Sequence, residues 1–158
     1  MTENTHTDQS DRLAQISGFL TYRISRLHGK LNGQASRILE KSVGITLNQW
    51  RMMAFIGSAE NLTASELISH TSMDKGMVSR NVKSLIEMGL VASLRDEGDR
   101  RVHFLALSPA GREIYDAALP RMRRRQADLK KDISEQDMET FFRVMAMLEV
   151  ASENTDIL

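Results

Sequence analysis

Helix-start and turn signals alternate closely in the middle of this 158-residue chain. Thr46-Leu-Asn-Gln49 and Thr63-Ala-Ser-Glu66 each place a Gln or Glu three residues after a threonine, which is the capping box that opens a helix. Thr71-Ser-Met73 interrupts the second helix, and a third is expected to begin near Asp74. The predicted helices cover 46–58, 63–70 and 74–88, with only short turns between them.

The apolar period changes after Gly89, a residue suited to the left-handed conformation that ends a helix. Leu90–Leu94 and Val102–Leu107 predict two short strands, joined by the polar segment Arg95–Arg100. A short helix, a tight turn and a second helix are typical of a module that lays the second helix in the major groove of DNA. An arginine-tipped hairpin directly after it is typical of a wing, because arginine suits a narrow, strongly negative minor groove.

Long amphipathic helices are predicted on both sides of this segment. Apolar residues recur every three or four positions from Arg12 to about Glu40. Ser108-Pro109 starts a helix that is expected to run to about Lys131 and to bend at Pro120. Ser134-Glu-Gln-Asp137 opens the last helix. Helices this long in a small protein more often pack against a partner subunit than against their own core alone. The predicted inner face of the last helix consists of Met138, Phe141, Phe142, Met145 and Leu148.

Composition and motifs argue against several classes of function. The absence of cysteine excludes disulfides, thiol nucleophiles and cysteine-ligated zinc. The four histidines show no ligand spacing, so neither a metal site nor another cofactor is expected. The chain has no P-loop and no Gly-x-Gly-x-x-Gly, His-Glu-x-x-His or Gly-x-Ser-x-Gly motif, and we therefore expect no enzyme. The first 11 residues are polar and do not resemble a signal peptide, so a cytoplasmic location is expected.

The third predicted helix begins with small, polar and cationic residues, as a groove-reading helix should. Lys75, Ser79 and Arg80 can reach bases or phosphates, Gly76 permits close backbone approach, and Lys83 lies one turn further on. The alternative is a solvated helix face with no partner. The formal net charge of zero also argues mildly against a nucleic-acid binder, so the local arrangement must carry the interpretation.

Several segments resemble the MarR family of bacterial winged-helix regulators. The most specific stretch is Asp99–Gly111, which matches the family pattern of Asp-x-Arg, an alternating strand, Leu-Ser/Thr, two residues and Gly. Thr46–Arg51, Asp74–Arg80 and Leu85–Val91 support it. The resemblance covers nearly the whole chain and implies a mainly α fold with a small β-hairpin wing and N- and C-terminal dimerisation helices.

The resemblance also implies how the family's DNA-binding residues map onto this chain. It implies that Arg101 enters the minor groove and that Asp99 holds it by a charge-assisted hydrogen bond. It further implies a homodimer on a pseudo-palindromic operator with half-sites about 10 base pairs apart. The expected DNA-binding residues are Lys75, Gly76, Met77, Ser79, Arg80, Lys83, Arg100 and Arg101. The expected regions are a tail (1–11), a dimerisation helix (12–45), the winged helix-turn-helix domain (46–108), C-terminal dimerisation helices (109–152) and a loose tail (153–158).

Family members hold effectors between the dimerisation helices and the winged domain, and this implies a sensing site here. The candidates are Tyr22, Arg26, His28, Trp50, Arg51 and Met53. Trp50 and Met53 are more readily explained as core, and His28 as a surface or dimer-contact residue. Tyr22 and Arg26, one helical turn apart, could hold an aromatic carboxylate or a coenzyme A thioester, or could form a surface pair. Arg121-Met-Arg-Arg-Arg125 could bind ligand phosphates or DNA, or could face solvent.

The sequence thus predicts a ligand-responsive DNA-binding regulator, with repression the family's common mode. The alternative is a protein-interaction module of the antirepressor type, with the same fold and no DNA binding. The effector, the operator and the regulated genes are left open.

Overall fold

The computed structural model describes residues 15–71, 73–95, 98 and 102–154. Residues 15–18 are helical, and the helices and strands that follow are named here in chain order. They are α1 (Leu20–Val43), α2 (Leu47–Ser58), β1 (Leu62–Thr63), α3 (Ala64–His70), α4 (Lys75–Glu87), β2 (Val91–Arg95), β3 (His103–Leu107), α5 (Pro109–Lys130) and α6 (Glu135–Ser152). The fold is mainly helical, with one small antiparallel sheet, as the sequence predicted.

Helix α1 differs at its start from the predicted helix, which ran without a break from Arg12. Phe19 has extended backbone angles (φ −62°, ψ 135°) and separates the helical residues 15–18 from α1. The break follows Gly18, and glycine is a weak helix former. At its other end α1 continues beyond the predicted limit to Val43. Gly44, at φ 71°, closes it by donating its N–H to the Leu39 carbonyl, 3.0 Å away.

The sheet contains a strand that the sequence analysis did not predict. Its order is β1-β3-β2, so β3 lies in the centre. Strand β1 pairs Leu62 with Leu105, while the hairpin pairs Val91 with Leu107 and Arg95 with His103. Because β1 is only two residues long, it shows no alternation that a sequence pattern could reveal. It leads directly into the Thr63 cap of α3 and so anchors the start of that helix to the wing.

The chain divides into two compact units, one up to Leu119 and one from Pro120 onwards. The first unit contains α1–α4, the sheet and the start of α5. Each fully buried leucine of its core contributes about 1.5–3 kcal/mol to folding. The largest fully buried side chains of this core are Leu39, Met52, Met53, Leu67, Leu85 and Val78.

The second unit leaves several large apolar side chains exposed. Helix α5 continues through Pro120 and ends at Lys130, and Ser134 caps α6 by accepting the Asp137 N–H at 3.1 Å. None of the described residues of α6 is buried. Phe141 is 47% and Phe142 59% exposed, whereas Met138 and Leu148 are half-buried, so the described residues cover the predicted inner face of this helix only in part.

Candidate nucleic-acid interface

Helix α4 has one buried and one exposed face. Val78, Val82 and Leu85 are buried, which turns the other side of the helix outward. Asp74 caps the helix by accepting the Met77 N–H at its Oδ1, 2.9 Å away. The outward residues near the cap are those that the sequence analysis assigned to DNA. The four exposed members of that set in α4 are Lys75, Ser79, Arg80 and Lys83.

The start of α4 places the cations Lys75 and Arg80 at the helix N-terminus, with the Asp74 carboxylate as its cap. A Cβ on Gly76 would lie 3.1 Å from Asp74 Oδ1 and 3.2 Å from Arg80 Nη1, so the Arg80 guanidinium lies against this turn. A helix N-terminus already carries partial positive charge. The turn therefore combines backbone and guanidinium charge, an arrangement suited to a phosphate or an electronegative base edge. Gly76 leaves the space that Arg80 occupies.

Two other predicted DNA-contact residues of α4 have partners within the chain. Lys83 forms an exposed ion pair with Glu87 at 3.7 Å. Such a pair stabilises a protein by less than about 1 kcal/mol and can be exchanged for a phosphate. Met77 is half-buried, and its sulfur accepts a hydrogen bond from Asn48 Nδ2 at 3.6 Å. Met77 therefore connects α4 to α2.

Helix α2 holds both ends of α4 through side-chain amides. Asn48 contacts Met77 at the start of α4. Gln49 closes the Thr46 capping box with its oxygen and donates from Nε2 to Ser84 Oγ at 3.2 Å, near the other end. The Thr46 capping box of α2 thus also helps to orient α4. This second role was not evident from the sequence, since it depends on which helix lies opposite.

Both strands of the wing, β2 and β3, lie within the described residues. Arg95, at the end of β2, is exposed and lies opposite His103 in β3. Asp99, Arg100 and Arg101, predicted to bind the minor groove or to support that contact, lie outside the described residues.

A hydrogen-bonded junction fixes where the wing ends and α5 begins. Ser108 donates its N–H to the Leu90 carbonyl at 3.0 Å and its hydroxyl to the Gly89 carbonyl at 2.6 Å. Gly111 in turn donates its N–H to Ser108 Oγ at 3.0 Å. Gly89 has φ 70°, as predicted for the end of α4. The spacing Leu-Ser-x-x-Gly therefore has a physical cause, because it docks α5 on the turn after α4.

Two predicted effector residues belong to the core. Trp50 is 6% exposed and stacks on Tyr115, with ring centroids 5.7 Å apart. Met53 is fully buried. Tyr115 is held in place by Ser58, whose Oγ lies 3.1 Å from the phenol oxygen. The core interpretation that the sequence analysis favoured for Trp50 and Met53 agrees with this packing.

Tyr22 and Arg26 line one surface cavity of about 430 Å³ along α1. Arg23 and Lys30 also line it and were missed by the sequence analysis. Their spacing of three to four residues from Arg26 was the available signal, since such residues share a helix face. Three cations around one concave surface favour an anionic ligand.

His28 and Arg51, the remaining effector candidates, are linked through Asn32. His28 Nε2 lies 3.0 Å from Asn32 Nδ2, and Arg51 Nη2 donates to Asn32 Oδ1 at 3.0 Å. Neither Asn32 nor Asn48, the other amide that Arg51 contacts, was singled out from the sequence.

The arginines of the run Arg121–Arg125 in α5 differ in their exposure to solvent. Arg124 is exposed and lies 4.0 Å from Asp128. Burial lowers the pKa of the Arg125 guanidinium below its usual value.

The described residues contain no group of acidic or histidine side chains able to hold a metal ion. Among them, too, no helix combines the length and apolar character needed to span a bilayer.

Comparisons with known proteins agree with this geometry. Residues 43–102 match a family model described as MarR family. A curated HTH-type transcriptional regulator of Staphylococcus aureus (strain Mu50 / ATCC 700699) is 29% identical over 113 residues, which cover 70% of this chain and 77% of the relative. A solved MarR/EmrR family transcriptional regulator from Acinetobacter sp. ADP1 is 25% identical, with a TM-score of 0.76 and coverage of 90% of this chain and 96% of that one.

A further solved structure contains DNA. It is the Mycobacterium tuberculosis transcriptional regulator MosR in complex with DNA, which is 26% identical, with a TM-score of 0.69 and coverage of 85% of this chain and 96% of that one. Over residues 43–102 and in overall fold, the chain is thus similar to the winged helix-turn-helix transcriptional regulators of the MarR family.

Proposed function

We propose that this regulator is a homodimeric repressor that releases its operator when it binds a small anionic effector. The observation that carries the proposal is the amount of uncovered apolar surface on the terminal helices. Leu20, Ile24 and Leu27 on α1 are each about half exposed, and Phe142 and Val150 on α6 are 59% and 71% exposed. On α1 these side chains share one helix face, and monomeric proteins rarely leave extended apolar patches open to water. A second copy of the chain is the partner that the family resemblance implies.

In the proposed complex, each subunit inserts the start of α4 into a major groove. Ser79 and Arg80 contact base edges there, and Lys75 and Lys83 contact phosphates. Arg101 enters the adjacent minor groove, supported by Asp99, and Arg100 contacts the backbone. Two copies related by a twofold axis read half-sites about 10 base pairs apart. The exposed cationic first turn of α4 supports this arrangement.

The proposed effector is an aromatic acid or a coenzyme A thioester. Arg23, Arg26 and Lys30 beside the α1 cavity supply charge for a carboxylate or phosphates, and Tyr22 supplies an aromatic surface. Release requires the effector to prefer the conformation that does not bind DNA. A hundredfold loss of operator affinity needs a preference of about 2.7 kcal/mol. The antirepressor alternative is not favoured, because DNA binding belongs to the family.

Disrupting the proposed dimer is expected to abolish tight operator binding. Phe142→Glu places a charge on the exposed apolar face of α6, and we expect monomers by light scattering. Operator affinity falls about 100-fold or more, because the second half-site is no longer held at a high local concentration. Gln136→Glu adds the same charge at an exposed position of the same helix and should stay dimeric. A Phe142→Glu protein that keeps its dimeric mass would contradict the proposed interface.

Effector release is tested with the DNA upstream of the gene that encodes this protein and with a panel of aromatic acids and their coenzyme A thioesters. A compound that raises the melting temperature is expected to weaken the gel shift at the same concentrations. Arg26→Gln is expected to weaken the response about 10-fold or more, since a charge-assisted hydrogen bond is lost, while free-protein operator affinity is retained. Arg37→Gln removes an exposed cation of α1 outside the cavity and serves as the control. Equal operator affinity with and without every stabilising compound would refute the mechanism.

A further inference from the structure

A continuous hydrogen-bonded chain connects α1 with the first turn of α4, and Arg51 lies at its centre. From α2, Arg51 donates through Nη2 to Asn32 Oδ1 on α1 at 3.0 Å and through Nη1 to Asn48 Oδ1 at 3.3 Å. Asn48 then donates from Nδ2 to the sulfur of Met77 at 3.6 Å. Arg51, Asn32 and Asn48 are all half-buried, so these bonds are only partly exchanged with water.

Arg51 fixes the direction of every bond in this chain. A guanidinium group has only donors, so both amide oxygens must face it. The Asn48 NH₂ group therefore points at Met77, and the Asn32 NH₂ group points at His28 Nε2, 3.0 Å away. An inverted Asn48 amide would set donor against donor at Arg51. It would also leave the sulfur of Met77 without its donor.

Met77 is the residue of α4 at which three constraints meet. Its N–H is held by the cap, Asp74 Oδ1, at 2.9 Å. Its carbonyl accepts from Asn81 Nδ2 at 2.8 Å. The Asn48 contact ties the same residue to α2. Ser79 and Arg80 follow within one turn, so the position of Met77 determines where these side chains are presented.

We propose that Arg51 is a positioning residue for DNA recognition. It orients the Asn48 amide, the amide holds Met77, and the first turn of α4 is thereby fixed on the surface of the domain. The same guanidinium holds Asn32, so the placement of α1 and that of the recognition helix are coupled through one side chain. The proposal depends on DNA binding alone and would stand if the proposed effector or its site were wrong.

The test is a double-mutant cycle on operator affinity with Arg51→Lys and Met77→Leu. Lysine keeps the positive charge but cannot reach both amides with the guanidinium geometry. Leucine keeps the approximate volume of methionine and removes the sulfur acceptor. Each single variant is expected to lose about fivefold in affinity, and the double variant no more than either, because both changes break one chain. Arg37→Lys is the matched control, an Arg-to-Lys change on an exposed face of α1.

The cycle separates positioning from support of the fold. Losses that multiply to about 25-fold in the double variant would overturn the proposal, as would full affinity of Arg51→Lys. If Arg51→Lys lowers the melting temperature strongly, Asn48→Ala replaces it in the cycle with Met77→Leu. The Asn48 and Met77 effects must then be non-additive, and additive effects would overturn the proposal equally.

Discussion

Replacing Gly111 by alanine is expected to destabilise the fold severely. A Cβ at this position would overlap the carbonyl oxygen of Leu90 and lie 2.9 Å from its carbonyl carbon. Both atoms are backbone, so no side-chain rotation can relieve the clash. Relief requires α5 to move away from the turn after α4, which breaks the Ser108 bonds to Gly89 and Leu90. Overpacking of this kind costs about 3 kcal/mol or more, a large share of the stability of an ordinary domain.

Gly44→Ala provides the matched control for this expectation. Gly44 has φ 71°, and a Cβ there meets nothing within 4 Å. The same substitution therefore costs only the strain of a left-handed alanine, about 1–2 kcal/mol. Urea and thermal denaturation of both variants measure the difference. If Gly111→Ala unfolds at the same midpoint as Gly44→Ala, then the close approach of α5 to Leu90 does not exist in solution.

The parts of the fold that sequence patterns predicted are those governed by neighbouring residues. The capping boxes predicted at Thr46 and Thr63 form, with the Gln49 and Glu66 N–H groups each 3.2 Å from the threonine hydroxyl, whereas at Ser134 only the serine cap is present. Backbone and side-chain hydrogen bonds from Thr63 also hold the pKa of the Glu66 carboxyl below its usual value. These interactions span three residues, so the local sequence determines them. Gly89 ends α4 for the same reason.

Features that depend on distant residues were not predicted. Strand β1 forms because Leu62 pairs with Leu105, which lies more than 40 positions later in the sequence. Ser108 was identified as a helix cap, but its bond to Gly89 requires that the hairpin return to the end of α4. The break at Phe19 follows a single glycine within an otherwise regular apolar pattern. No periodicity in the sequence reports such pairings or interruptions.

The same distinction applies to the candidate site. The period of α4 indicates its buried face at Val78, Val82 and Leu85, and the residues proposed for DNA contact at its start, Lys75, Ser79 and Arg80, are exposed. The link of Arg51 to Asn32 spans two helices, and the sequence could suggest Arg51 only as a ligand-binding residue. Which role it has depends on the neighbours that the fold supplies.

Replacing Arg80 by alanine is expected to cause the largest loss of operator affinity that leaves the fold intact. Its guanidinium lies beside Gly76 on the exposed first turn of α4, where the helix terminus adds positive charge. Each base contact by arginine contributes about 1–3 kcal/mol. A dimer loses two such contacts, so we expect operator affinity to fall about 100-fold or more. The melting temperature should stay nearly unchanged, because the side chain is exposed.

The salt dependence of binding identifies what Arg80 contacts. If it reads bases, the slope of log affinity against log salt is unchanged and discrimination between operator and unrelated DNA falls. If it contacts phosphates, the slope becomes shallower by about two for the dimer, and both DNAs are weakened alike. Lys131→Ala is the control, since Lys131 is 67% exposed and follows α5, and it should change affinity by less than about twofold. A loss for Arg80→Ala no larger than this control would mean that the first turn of α4 does not enter the groove, and the proposed docking would fail with it.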